Sequence, residues 1–135
     1  MEPMVNIALR AARKAGDLVI RATKRIDLVN VDEKGRNDFV TDIDYAAENE
    51  IIYHLKKAFP EHTIISEEAG LLKGVEEDYQ WIIDPLDGTT NFIHGIPHFA
   101  ISIACKHKGK IEHAVILDPC LLYTSDAADE SLGVD

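Results

Sequence analysis

The chain has 135 residues, 46% of them hydrophobic and 28% charged, with a formal net charge of −10. That length can bury a real core, and the composition is that of a globular domain, not a disordered one. The acidic balance argues against direct nucleic-acid binding, because phosphate backbones are gripped mainly by Lys and Arg.

Cysteine usage is sparse: Cys105 and Cys120 form no paired-spacing motif and read as reduced thiols. The six histidines are scattered, and His94 and His98, four apart, straddle Gly95 and Pro97, so a zinc hydrolase is not expected. Met1–Asn6 lacks the charged-then-apolar pattern of a signal peptide, and no apolar run approaches bilayer-spanning length. The reading is cytoplasmic, with no membrane partner.

In chain order, residues 4–25 are predicted to be a helix. Pro3 suits its first turn, and Val5, Ala8, Leu9, Ala12, Ala15, Val19 and Ala22 recur at three- and four-residue steps. Its other face is basic, with Arg10, Arg13, Lys14, Arg21 and Lys24. An alanine-rich stripe without large aromatics favours packing against another helix over membrane binding. Leu28–Val31 reads as a short strand and 32–38 as a polar loop. Thr41-Asp42-Ile43-Asp44 has the form of a capping box, and a second helix follows to about Phe59, where Pro60 stops it. On the residues alone, Asp42 and Asp44 need do no more than favour the helix N-terminus.

Thr63–Ser66 reads as a strand with Glu67 and Glu68 at its end, a pair that by itself is no more than a solvated one. Residues 71–78 look like an acidic surface loop, and Tyr79–Ile83 is the next strand. Phe99–Cys105 alternates like a strand, His107-Lys108-Gly109-Lys110 turns, and Ile111–Leu117 returns as a hairpin partner. The expected fold class is therefore α+β, two helices covering one face of a largely antiparallel sheet. No regular structure is assigned after Asp118-Pro119, where the chain becomes acid-rich with no basic residue.

The chemistry is concentrated in Asp84-Pro85-Leu86-Asp87-Gly88-Thr89-Thr90-Asn91-Phe92. Asp84 is read as ending its strand. Pro85 fixes its own φ and offers no N–H, so the turn can aim Asp84 and Asp87 at one place and leave the Leu86 carbonyl as a further oxygen ligand. Such an oxygen-only set suits Mg²⁺, and Asp84 bridging two ions suits in-line phosphoryl displacement. Gly88 and the residues after it suit a phosphate oxygen. An EF-hand fails, because counting from Asp84 puts Leu86, Gly88 and Gly95 where acids belong. A phospho-aspartate enzyme also fails: the nucleophile would fall at Pro85.

Three segments in order resemble the inositol monophosphatase family: the Asp84–Phe92 motif preceded by Trp81, Ser66-Glu67-Glu68-Ala69-Gly70, and Asp38-Phe39-Val40-Thr41-Asp42-Ile43-Asp44 with Lys34 before it. The resemblance covers residues 1–119 and implies that family's layered helix/sheet sandwich, of which this would be the N-terminal, metal-binding half. It implies that Glu67, Asp84 and the Leu86 carbonyl bind one Mg²⁺ and that Asp84 and Asp87 reach a second, with two or three ions in a complete site. Thr89, backed by Asp44, would activate the attacking water. Asp87, Gly88, Thr89 and Thr90 would receive the substrate, and Lys34 would stand at the edge of the metal–water network. The substrates implied are phosphomonoesters of small polyols such as inositol 1-phosphate, with lithium sensitivity and a homodimer for a full-length protein. Fructose-1,6-bisphosphatases and 3'-phosphoadenosine nucleotide phosphatases share the metal motif. Some bacterial members join transcription antitermination complexes, which makes a transcription-complex partner the alternative role.

The departures are specific. Residues 120–135 do not follow the family pattern and are expected to be non-native or disordered. The later Trp-Asp segment that completes the second metal site is missing, since Trp81 is the only tryptophan. A truncated chain with little or no turnover of its own is the expectation.

Overall fold

The computed structural model describes residues 2–36 and 38–124. Helix α1 (Pro3–Thr23) starts where Glu2 accepts hydrogen bonds from the amides of Met4 and Val5 with Pro3 at the first position. Its buried stripe is Ala8, Ala11, Ala12, Ala15, Gly16 and Val19. These small residues let its axis approach α2 (Asp42–Ala58), whose Ala47, Ile51 and Leu55 are fully buried.

Both helices lie against one face of a five-stranded sheet of order β4-β3-β5-β6-β7. Its strands are β3 (His62–Ser66), β4 (Gly70–Leu72), β5 (Glu76–Asp87), β6 (Ala100–His107) and β7 (Lys110–Leu117). The β3–β5 pair is parallel and the other three neighbouring pairs are antiparallel. Alternate residues Ile64, Trp81, Ile83, Ile101, Ile103, Cys105, Val115 and Leu117 face the helices and form the core. The β6–β7 turn places Lys108 (φ 53°) and Gly109 (φ 83°) in the left-handed region, as a two-residue hairpin between right-twisted strands requires.

The capping box at the start of α2 is present as predicted. Four expectations need correction. Ile26–Leu28 is a 3-10 turn, and the strand lies later: β1 (Val31–Gly35) pairs with β2 (Asp38–Thr41) as a separate two-stranded ribbon. Every residue of β1 is exposed, so it carries no apolar alternation to read. The segment 71–78 is no simple loop, because β4 and the start of β5 occupy much of it, again as exposed ladder. Asp84 does not end its strand either. The β5–β6 register passes from Asp84↔Ser102 to Asp87↔Ala100, so one extra residue is accommodated on β5. Pro85 cannot donate to the ladder there, and a bulge is the form that loss takes. Finally, Pro119–Thr124 is a short helix, α4; the remainder of the predicted tail, 125–135, lies outside the described residues.

Candidate active site

The bulge does for Asp84 and Asp87 what a strand end was expected to do. Residues 84–87 leave the regular pleat, and Glu67, Glu68, Asp84, Leu86, Asp87, Gly88, Thr89 and Thr90 line one open cleft of about 260 Å³ beside Phe39. Glu67 comes from the end of β3 and the aspartates from the end of β5. The parallel β3–β5 pairing therefore brings both segments to the same edge. Gly88 turns the chain into α3 (Thr89–Ile93) at φ 98°, and a Cβ there would sit 2.9 Å from the His98 carbonyl oxygen. Both conditions select glycine.

Asp44 is held from two sides. Its Oδ1 accepts from the Thr41 amide at 2.7 Å and from the Thr41 hydroxyl; its Oδ2 faces the Thr89 hydroxyl at 2.9 Å. The Thr89 Oγ1 also lies 3.0 Å from the Leu86 carbonyl, so its single proton has two acceptors to choose between. Burial raises the Asp44 pKa above the ordinary carboxylate value, and the hydrogen bonds from Thr41 and Thr89 oppose that rise.

Asp84 is the opposite case. Its Oδ1 is buried without a hydrogen-bond partner. Burial, a hydrogen bond shared with the Glu67 side chain and the charges of Glu67 and Asp87 together push its pKa up to about 7. Three acids competing at one edge with an orphaned oxygen are what a bound cation would relieve. As placed, no three His, Cys, Asp or Glu side chains among the described residues gather closely enough to grip an ion. That result does not conflict with the expected ligand set, in which a main-chain carbonyl stands beside two carboxylates.

Lys34 reaches the cleft through an acid: its Nζ lies 2.7 Å from Glu68 Oε1. Thr90 is exposed on the rim. The sequence reading missed Glu48, which is 2% exposed on α2 and accepts hydrogen bonds from the Ser66 hydroxyl and the amides of Glu68 and Ala69. The available signal was an acid one helical turn after Asp44, in line with the apolar stripe of Ala47, Ile51 and Leu55.

Among the described residues, the lining offers carboxylates, a carbonyl, hydroxyls and the Asn91 amide, with no thiol or imidazole, so the class of site is one suited to a hard cation and an oxyanion. The profile of the inositol monophosphatase family matches residues 1–131, and the chain belongs to that family. The match runs past the boundary at residue 119 drawn from the sequence. The chain is similar to the Nus factor SuhB of Pseudomonas aeruginosa, 60% identical over 121 residues, covering 88% of this chain and 45% of the relative. Its fold is similar to the extragenic suppressor protein suhB of Bartonella henselae, with TM-score 0.88 and 40% identity over 89% of this chain and 46% of that one. It is also similar to an IMPase/NADP phosphatase solved with Mg²⁺ and phosphate, with TM-score 0.66 and 25% identity over 78% of this chain and 41% of that one. The chain spans about half the length of the curated relatives it matches. Among the described residues, no helix is long and apolar enough to cross a membrane.

Proposed function

We propose that this chain carries the metal-binding part of a Mg²⁺-dependent phosphatase acting on inositol 1-phosphate or a similar small polyol phosphate. The observation that carries the reading is the Thr89 hydroxyl set 2.9 Å from a buried carboxylate while opening onto the same cleft as Glu67, Asp84 and Asp87. Glu67, Asp84 and the Leu86 carbonyl would hold one Mg²⁺, and Asp84 with Asp87 would reach a second; the phosphatase solved with Mg²⁺ and phosphate supports this choice of ion. When bound, the ions supply charge to the phosphoryl oxygens and lower the pKa of water. The protein's own part is positioning. With its proton directed to Asp44 rather than to the Leu86 carbonyl, the Thr89 oxygen would be free to accept a proton from the attacking water. Gly88, Thr89 and Thr90 line the wall where the phosphate would sit, and Asp87 on the rim would meet the polyol. Lys34, tied to Glu68, would hold the outer edge of the network. Residues 1–119 would carry this part, and by themselves they would support little turnover if, as in the family pattern, a further ligand of the second metal site is supplied by a later segment.

The test joins this chain to the remaining half of its 60%-identical relative and measures phosphate release from inositol 1-phosphate. Mg²⁺-dependent release that Asp84→Asn reduces to background is expected. Fast release by the 135-residue chain alone would overturn the expectation of little turnover.

One observation favours a second reading: the Pseudomonas relative bears the name Nus factor. A transcription-complex role would use the exposed basic residues Arg10, Lys14 and Arg21 on α1 and Lys24 just after it. Binding to a reconstituted elongation complex that survives Asp84→Asn but not charge reversal at Arg10 and Lys14 is the result this role expects.

A further inference from the structure

Glu67 is exposed at the end of β3, so burial of its own side chain does not fix its direction. The backbone on both sides of it is nevertheless tied to one atom. Oε2 of Glu48 lies 2.7 Å from the Ser66 hydroxyl, directly before Glu67. The same oxygen lies 2.9 Å from the amide of Glu68, directly after it, and 2.9 Å from the amide of Ala69. Ser66 is 4% exposed and Glu48 2%, so the knot is dry on the helix side. Three donors on a buried carboxylate make charge-assisted bonds, which are shorter and stronger than neutral ones. A buried carboxylate is costly to keep unless such bonds stabilise it. A turn that needed only its polar groups satisfied would manage with water or a neutral side chain.

The position of Glu48 on α2 adds a second consequence. Asp44 stands one helical turn earlier and holds Thr89, the first residue of α3 after β5. Glu48 holds the turn after β3. Two loops that are distant in sequence are thus indexed to one rigid helix at adjacent turns, which helps set the spacing of Glu67 from Asp84 and Thr89.

We infer that Glu48 is a positioning residue for the candidate metal ligand Glu67: it clamps the Ser66–Ala69 turn to α2 and so sets where the Glu67 carboxylate meets the cleft. This rests on the metal-binding reading above. Glu48 would not touch the ion or the substrate; outer partners of this kind typically change metal affinity about 10–100-fold when removed.

The test uses the 135-residue chain with Mn²⁺ as the probe, free Mn²⁺ being followed by electron paramagnetic resonance. Amide hydrogen exchange and thermal melting are measured on the same samples. Glu48→Ala is expected to raise the Mn²⁺ dissociation constant about tenfold or more and to speed exchange at the Glu68 and Ala69 amides. The Thr41 amide, held by Asp44, keeps its protection. Glu48→Gln keeps an acceptor oxygen but not its charge, and should fall between the wild type and Glu48→Ala in both readouts. Should Glu48→Ala not fold, Glu48→Gln alone decides, and wild-type affinity with wild-type exchange in that variant overturns the inference. So does a Glu48→Ala protein that melts lower yet binds Mn²⁺ as the wild type does, since that is the signature of a structural tie only. A wild-type chain that takes up no Mn²⁺ removes the metal reading and the positioning role with it, while fast Glu68 and Ala69 exchange in Glu48→Ala would still show that the clamp holds the turn.

Discussion

The same three strands, β3, β5 and β6, end in opposite chemistry. At one end the core face continues into a column of rings. Phe59 stacks on His62 with centroids 4.9 Å apart, His62 on Tyr79 at 4.7 Å, and Tyr79 on His107 at 4.1 Å. The polar handle there is matched, since buried Trp81 donates its indole N–H to His62 Nδ1 at 3.0 Å. At the other end stand Glu67, Asp84 and Asp87, with like charges adjacent and one carboxylate oxygen buried without a partner. One end is built to lower the free energy of the fold, and the other raises it. Perturbed carboxylates of this kind cluster at functional sites, and the contrast makes the acid end the candidate one.

Asp84→Asn should have the largest effect and separates the two ends most sharply. In the chimera with the second half of the relative, it should lower phosphate release by about a hundredfold or more, because a ligand contributing several kcal/mol of charge stabilisation is lost. In the 135-residue chain the melting temperature should stay level or rise, since the substitution removes a carboxylate repelled by Glu67 and Asp87. A variant that melts several degrees lower would show that Asp84 holds the fold together, and the comparison would fail.

Thr89→Ala should come next. Loss of a positioned proton-transfer group lowers turnover about 10²–10⁴-fold in general, so kcat in the chimera should fall by at least the lower figure with little change in KM. A loss confined to KM would instead make Thr89 a binding residue only.

Trp81→Phe tests the ring end. It keeps the ring in the core and leaves His62 Nδ1 without its donor, a change expected to cost about 1–3 kcal/mol in urea unfolding. Mn²⁺ affinity should be unaltered. A change in Mn²⁺ affinity comparable to that of Glu48→Ala would mean the two ends are not independent.

The smallest effect is one of pH. Burial lowers the His62 pKa below 6.5, against the opposing pull of Glu76 and Glu61. The folded state therefore binds this proton less readily than the unfolded chain does. The His62 contribution is fully present above pH 6.5 and is lost as pH falls through the lowered folded value. Protonation at Nδ1 would also cost the Trp81 bond. Melting temperatures of His62→Phe and the wild type, compared between pH 8 and 5, should converge toward the acid side; parallel curves would remove His62 from the stability of the ring column.

Much of the molecule was legible because its signals are local. The Thr41–Asp44 capping box, the Pro60 stop and the Lys108-Gly109 turn each depend on neighbours within a few residues and stand where the sequence put them; the α1 stripe was legible in part, its buried face taking in Ala11 and Gly16 while Val5, Leu9 and Ala22 are only partly buried. The missed elements had no such signal: β1 is wholly exposed, β4 is three residues long, and the bulge at Pro85 is defined only against β6. Glu48 was invisible for a related reason, since its partners are about twenty residues away and an acid on a helix ordinarily faces water.

The make-up of the candidate site is legible without a fold: the acids, the glycine and the hydroxyl stand in one short motif, and ligand type and turn chemistry are properties of the residues. The tertiary structure decided their arrangement. Parallel pairing of β3 with β5 brings Glu67 to the edge occupied by Asp84 and Asp87, and α2 ties both loops through Asp44 and Glu48. Sequence spacing cannot fix those distances, because packing between segments far apart along the chain sets them.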